Sequence, residues 1–239
     1  MRLNHKIIAL TALLAVGMAM TACGGSASGS TASSAASSTS ASSVALSSAA
    51  EEQTGAVQPI AQGTLEEMKS DSYKLAADLT AVKDGQLTMT VYSYDAYEKA
   101  NIDSLKEGDV IQTHDQGDTT VTEITVSSIE RDTENGYVTI NGGVEEGGLE
   151  LCTDHDVYRT LTFDDYPVYY KVGELTLPLA DDVSVSDTSA DPQAVAVITE
   201  GKAAVEEMLN ETLDNWTCLN TTVFTENGQV SGINRIWVP

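Results

Sequence analysis

Beyond Gly63 the apolar and polar positions mostly follow a period of two. Leu79 and Ala81, then Leu87, Met89 and Val91, fall on alternate residues either side of Asp84-Gly85. That is the spacing of half-buried strands around a dipeptide suited to the positive φ angles of a tight hairpin turn. Val121, Ile124, Val126 and Ile129 lead in the same way to Asn135-Gly136 and on to Tyr137-Val138-Thr139-Ile140. Thr221-Thr222-Val223-Phe224 and Val230-Ser231-Gly232-Ile233 flank Asn227-Gly228. Three turn signals of one kind predict antiparallel sheet. In Leu105-Lys106-Glu107-Gly108-Asp109-Val110-Ile111 the Gly-Asp pair reads as a corner, with the next apolar residues entering a core. Further strands are expected at 168–171, 174–177 and 183–185, before Asp191-Pro192 interrupts.

Helical spacing appears twice. Thr64-Leu65-Glu66-Glu67 is a capping-box pattern, so a short helix should open the domain. Val205, Met208, Leu209 and Leu213 form one apolar stripe with Glu206, Glu207 and Asn210 outside it, which predicts a helix over about 200–212. The expected fold class is α+β and mainly antiparallel β, closing as a small barrel or packing as a sandwich, with one or two short helices.

The first residues carry a different pattern. Arg2, His5 and Lys6 make a basic head, residues 7–22 are apolar apart from Thr and Gly, and Met20-Thr21-Ala22-Cys23 ends the run. This is the layout of a secretory signal. The small residue before a cysteine resembles the lipobox of bacterial lipoproteins, with Met20 where Leu is usual and Gly24-Gly25 following as in that family. The resemblance implies a signal peptide over 1–22, a diacylglycerol thioether on Cys23, and a folded part attached to the cell membrane on its outer, extracytoplasmic side. An uncleaved anchor is disfavoured because the run is shorter than the ~20 residues of a spanning helix. Residues 24–50 are almost all Ser, Ala, Gly and Thr, a flexible coil spanning ~30 Å. Residues 23–62 therefore read as lipidated cysteine plus linker, and 63–239 as one folded domain.

Charge excludes more than it nominates. Without the signal the chain keeps ten basic against thirty-six acidic residues, a net −26. Such a surface repels nucleic acid and anionic headgroups. The chain also lacks a Gly-x-Ser-x-Gly elbow, a His-Glu-x-x-His helix, a Gly-x-Gly-x-x-Gly turn and a phosphate loop.

Four constellations remain. Asp154 and Asp156, with Asp164 and Asp165 a few residues later, give an oxygen-rich set of the kind calcium accepts, although the spacing of an Asp-x-Asp-x-Asp-Gly loop is absent. His114-Asp115 and Asp118 stand on another expected loop, and zinc would need His114 and His155 to meet. Cys152 and Cys218 are either a disulfide or two buried thiols, and Cys152 near His155 has the composition of a nucleophile pair. Tyr92, Tyr94 and Tyr97, then Tyr166, Tyr169 and Tyr170, with Trp216 and Trp237, offer faces for a glycan or a protein partner, or cover for a core. The function expected is a membrane-anchored, non-catalytic binding or scaffolding module with an envelope protein or glycan as partner. The alternatives are a calcium- or glycan-binding module and an envelope hydrolase or thiol enzyme.

Overall fold

The computed structural model describes residues 55–193 and 195–239. The signal segment, Cys23 and the spacer over 24–50 lie outside the described residues. In chain order the elements are α1 (Leu65–Met68), β1 (Tyr73–Lys83), β2 (Gln86–Tyr94), β3 (Ala96–Glu98), α2 (Lys99–Ser104), β4 (Val110–His114), β5 (Val121–Thr125), β6 (Ile129–Asp132), β7 (Tyr137–Ile140), β8 (Leu149–Asp154), β9 (Val157–Leu161), β10 (Tyr169–Asp187), β11 (Val197–Glu200), α3 (Lys202–Thr212), β12 (Thr221–Glu226) and β13 (Gln229–Arg235). The α+β, mainly antiparallel character expected from the sequence is what the chain adopts.

Five strands close on themselves. β1 pairs antiparallel with β2, β2 with the first half of β10, and β12 with both β1 and β13. The second half of β10 runs parallel beside β13, which completes the ring β1-β2-β10-β13-β12. Closure removes the open edges a sheet would otherwise present. β11 pairs outside the ring, on the last residues of β10. A five-stranded Greek-key barrel with a helix between its third and fourth strands is the OB-type architecture. All three hairpin dipeptides, at Asp84-Gly85, Asn135-Gly136 and Asn227-Gly228, lie at the expected turns and carry positive φ at the glycine.

The three strands expected over 168–185 are one strand of nineteen residues. It stays continuous by changing partners, with register shifts between Lys171 and Gly173 and between Leu179 and Ser184. Gly173 sits at φ 153°, and a Cβ there would fall 2.6 Å from Leu65 Cδ1, so α1 rests its leucine directly on the strand backbone. Such irregularities bend long strands and help sheets curl shut.

Leu87, Met89, Val223 and Ile233 fill the barrel, and α3 adds Val205 and Leu209. The helical stripe therefore faces inward as the spacing requires, with Met208 and Leu213 partly buried at its margin. Glu206 accepts the Gly85 N–H at 3.0 Å, fixing the helix beside the β1–β2 turn. The capping box forms as expected: Thr64 N–H donates to Glu67 Oε2 at 2.7 Å and Glu67 N–H to Thr64 Oγ1 at 3.3 Å.

Everything from β3 to β9 is inserted between the second and third barrel strands. It has a second core, with Tyr97, Ile102, Ile111, Ile140 and Leu151 at its centre. β3, β9, β8, β7 and β6 make one sheet in that order, and β4–β5 is a separate hairpin. The apolar residues over 121–129 thus serve two sheets, β5 pairing with β4 and β6 with β7. The insertion also takes up residues that composition assigned to the linker: Val57 N–H donates to Val110 O at 2.7 Å and Ile60 N–H to Ala96 O at 2.7 Å.

Candidate functional site

The strand that leaves the barrel runs Val91-Tyr92-Ser93-Tyr94-Asp95-Ala96-Tyr97, and its one acid is almost completely enclosed, with 2% of the Asp95 side chain exposed. A buried carboxylate must be hydrogen-bonded to be tolerated. Asp95 Oδ2 accepts the His114 backbone N–H at 2.6 Å and the Thr113 hydroxyl at 3.0 Å, and Oδ1 lies 2.7 Å from His114 Nδ1. The Asp95 backbone carbonyl accepts the Thr160 N–H at 3.0 Å, so the acid also ties β4 to β9. Because an ionised carboxylate only accepts, Nδ1 of the neutral ring carries the hydrogen and Nε2 is left as an acceptor.

His114 is the last residue of β4, and its ring lies flat on Tyr170, with centroids 3.8 Å apart and planes 14° from parallel. Burial pushes the Tyr170 phenol up from its ordinary range, and the Asp95 charge adds to this. Tyr170 is therefore a neutral platform. Carboxylate and tyrosine together hold the imidazole in one orientation.

Beside the ring a cavity of about 460 Å³ opens between the β4–β5 hairpin and the β8 and β9 strands. Ile124, Val144, Leu149, Phe163 and Val168 supply apolar wall, while His114, Asp115, Gln116, Asp164 and four threonines supply the polar positions. Gly148 is part of that wall of necessity: a Cβ on it would fall 1.9 Å from the Ile140 carbonyl oxygen. Phe163 stands 73% exposed.

The sequence-nominated acids divide. Asp164 lines this cavity, whereas Asp165 sits on the following turn at φ 63° with its N–H donated to Thr162 O at 3.1 Å. Asp154 meets His155 Nδ1 at 2.8 Å and Arg159 Nε at 3.8 Å, and Asp156 is exposed on the β8–β9 turn. Two runs far apart in sequence, His114-Asp115 and Asp164, thus reach one cavity, while the pair Asp154 and Asp156 stands elsewhere. Among the described residues no three His, Cys, Asp or Glu side chains gather as a metal site. Each described histidine is committed to its own aspartate, His114 to Asp95 and His155 to Asp154.

Cys152 and Cys218 are free thiols, so the bridge the sequence allowed is not formed. Burial raises both, Cys218 to about 12 with Asp78 contributing, and Cys152 despite the opposing Arg159 charge. A nucleophilic cysteine needs the opposite shift. The tyrosines also part company. Tyr97 is wholly buried in the insertion core and donates to Gln112 O at 2.8 Å, Tyr92 donates to Asp78 Oδ2 at 2.8 Å, and Tyr94 meets Tyr169 edge to face at 5.9 Å. Trp216 is buried under the Arg235 guanidinium, and Trp237 is 37% exposed.

Asp95 is the site residue that the sequence reading passed over, although a lone acid inside an aromatic strand run was a usable signal. No protein-family model matches the chain, nor does any curated protein or solved structure. An OB-type barrel alone does not assign a function, so the site itself has to carry the argument.

Proposed function

We propose that the protein is a lipid-anchored, outward-facing binding module of the cell envelope, which takes a small organic ligand into the cavity beside His114. The address rests on the lipobox-type ending at Cys23 and the uncharged spacer after it. Two acyl chains on one cysteine suffice for stable membrane attachment. The net negative charge keeps nucleic acid from being the partner.

One observation carries the binding role: an apolar-walled cavity built around a histidine whose far nitrogen is fixed by a buried carboxylate. A concave apolar pocket with a few oriented polar groups is the usual makeup of small-molecule sites. Binding is favoured over catalysis because, among the described residues, no hydroxyl or thiol is hydrogen-bonded to His114 as an activated nucleophile would be. The Thr113 hydroxyl donates to Asp95 and the Thr122 hydroxyl to Asp115, and both thiols are raised.

A thermal-shift screen of the purified full chain against a mixed panel of small amines, carboxylates, sugars and neutral aromatics tests this. A ligand that binds only the folded state raises stability by RT ln(1 + [L]/Kd). At least one compound should raise the melting temperature, and the shift should vanish in Val144→Trp, which fills the mouth at a residue already 40% exposed. A panel without effect, or a shift that survives Val144→Trp, would remove the cavity from consideration as the site.

A further inference from the structure

We propose that the cavity beside His114 selects a small organic cation, a protonated amine on an apolar body. This rests on the cavity being the binding site and assigns the chemical class it accepts. Five of the backbone N–H groups on the cavity wall already have partners inside the protein: His114 donates to Asp95, Asp115 to Thr120 O, Gly147 to Val144 O, Gly148 to Gly143 O and Thr162 to Tyr166 O. Three of the four hydroxyl hydrogens are spent in the same way, Thr113 on Asp95, Thr122 on Asp115 and Thr160 on the Asp95 carbonyl, while Thr162 Oγ1 accepts the Tyr166 N–H and, with the Gln116 amide, is left as a neutral donor.

The charged groups that remain open are all acceptors. Nε2 of His114 has its lone pair free because Asp95 holds the hydrogen on Nδ1. Asp115 keeps its Oδ2, and Asp164 keeps its carboxylate. No lysine or arginine lines the space, and the chain as a whole carries −24. An anionic ligand would meet two carboxylates with no cation to offset them. An ammonium group brings three donors and a positive charge to a place that offers acceptors and negative charge. Ile124, Leu149 and Phe163 then cover its apolar body.

Three probes of one size separate the classes: phenethylamine, 3-phenylpropionate and 2-phenylethanol, titrated calorimetrically into the purified full chain at about pH 8, where alkylammonium groups are charged. Phenethylamine should bind at least about tenfold more tightly than either of the others, a difference of about 1.4 kcal/mol. Asp164→Asn, at an exposed position, should weaken the amine alone. Asp95→Asn supplies a second readout. The new amide can keep accepting from the His114 N–H and donate to Nδ1, which moves the ring hydrogen to Nε2 and turns the acceptor into a donor, so phenethylamine should lose about tenfold or more while the protein still folds. Equal or tighter binding of the carboxylate or the alcohol overturns the cation assignment and leaves the cavity reading standing. So does amine affinity unchanged in both variants. If none of the three probes binds while another class of compound in the panel protects through the cavity, only the cation assignment falls. If nothing in the panel binds, both fall.

Discussion

Replacing Asp95 by alanine and by asparagine should give two different losses of stability, and the difference measures how the site is held. Alanine removes the acceptor of three donors, the His114 N–H at 2.6 Å, the His114 ring nitrogen at 2.7 Å and the Thr113 hydroxyl at 3.0 Å. The hydroxyl can rotate, and the ring can shift its hydrogen to Nε2, but the backbone N–H cannot move away. Water has little access, since Thr113 is 6% and the Asp95 side chain 2% exposed. An orphaned buried donor costs about 1–3 kcal/mol, so the backbone group and an imperfectly rearranged ring together give about 3 kcal/mol. In a domain of this size that lowers the melting temperature by about 6–12 °C. Asparagine keeps one acceptor for the backbone and hydroxyl and offers its amide to the ring, so it should cost about 1 kcal/mol, or about 2–4 °C. Thermal unfolding followed by circular dichroism reads both. Nitrogen-15 chemical shifts of the ring, in a chain with three histidines, read the tautomer directly. Equal losses for the two variants, a loss under about 1 kcal/mol for alanine, or an Nε2–H tautomer in the native protein would refute the reasoning.

Alkaline stability should depend on three half-buried groups. Tyr92 and Tyr169 are pushed up to about 12 from 10.0, and Cys218 to about 12 from 9.0, burial leading in each case. In the unfolded chain these groups ionise first, so the stability they contribute is intact below about pH 9 and is lost as pH rises towards 12. Denaturant midpoints should therefore fall across that window, and midpoints flat to pH 12 would contradict the partial burial of all three. At the other end of the chain, wild-type protein should incorporate a fatty-acid probe and partition with membranes, and Cys23→Ser should do neither; a labelled, membrane-bound Cys23→Ser protein would dispose of the lipid anchor.

Much of the barrel could be read from the chain because its rules are local. Asp84-Gly85 and Asn227-Gly228 specify turns by backbone geometry, and Thr64 with Glu67 specifies a helix start within four residues. Val205 and Leu209 announce the buried face of α3 by spacing alone. Ring closure was illegible because it depends on one strand exchanging partners midway, and nothing within 169–187 says that β2 lies beside its start and β13 beside its end. The β8–β9 hairpin was hidden for another reason. Its turn is Asp154-His155-Asp156, polar enough to read as an oxygen-rich loop, with His155 at φ 55° where Asn or Gly would have advertised the bend. For the site, Asp164 and His114 were visible as chemistry, but their meeting is set by the insertion's sheet order. Asp95 was hidden by its setting, since an acid beside exposed-looking tyrosines resembles an ordinary strand edge until Thr113 and His114 are known to cover it.

The insertion leaves and re-enters the barrel at Tyr94 and Tyr169, which are paired across neighbouring strands. If the insertion were unfolded when β2 sought β10, the two would have to close a loop of roughly 70 residues, an entropic cost of about 4 kcal/mol. Once folded around its own core, the insertion delivers those two residues already side by side, and the pairing becomes nearly as local as a hairpin. Contacts made within the insertion reinforce that start, since Gly117 donates to Tyr169 O at 2.8 Å and His114 stacks on Tyr170. The part that makes the cavity is also the part that teaches the barrel's longest strand where to begin.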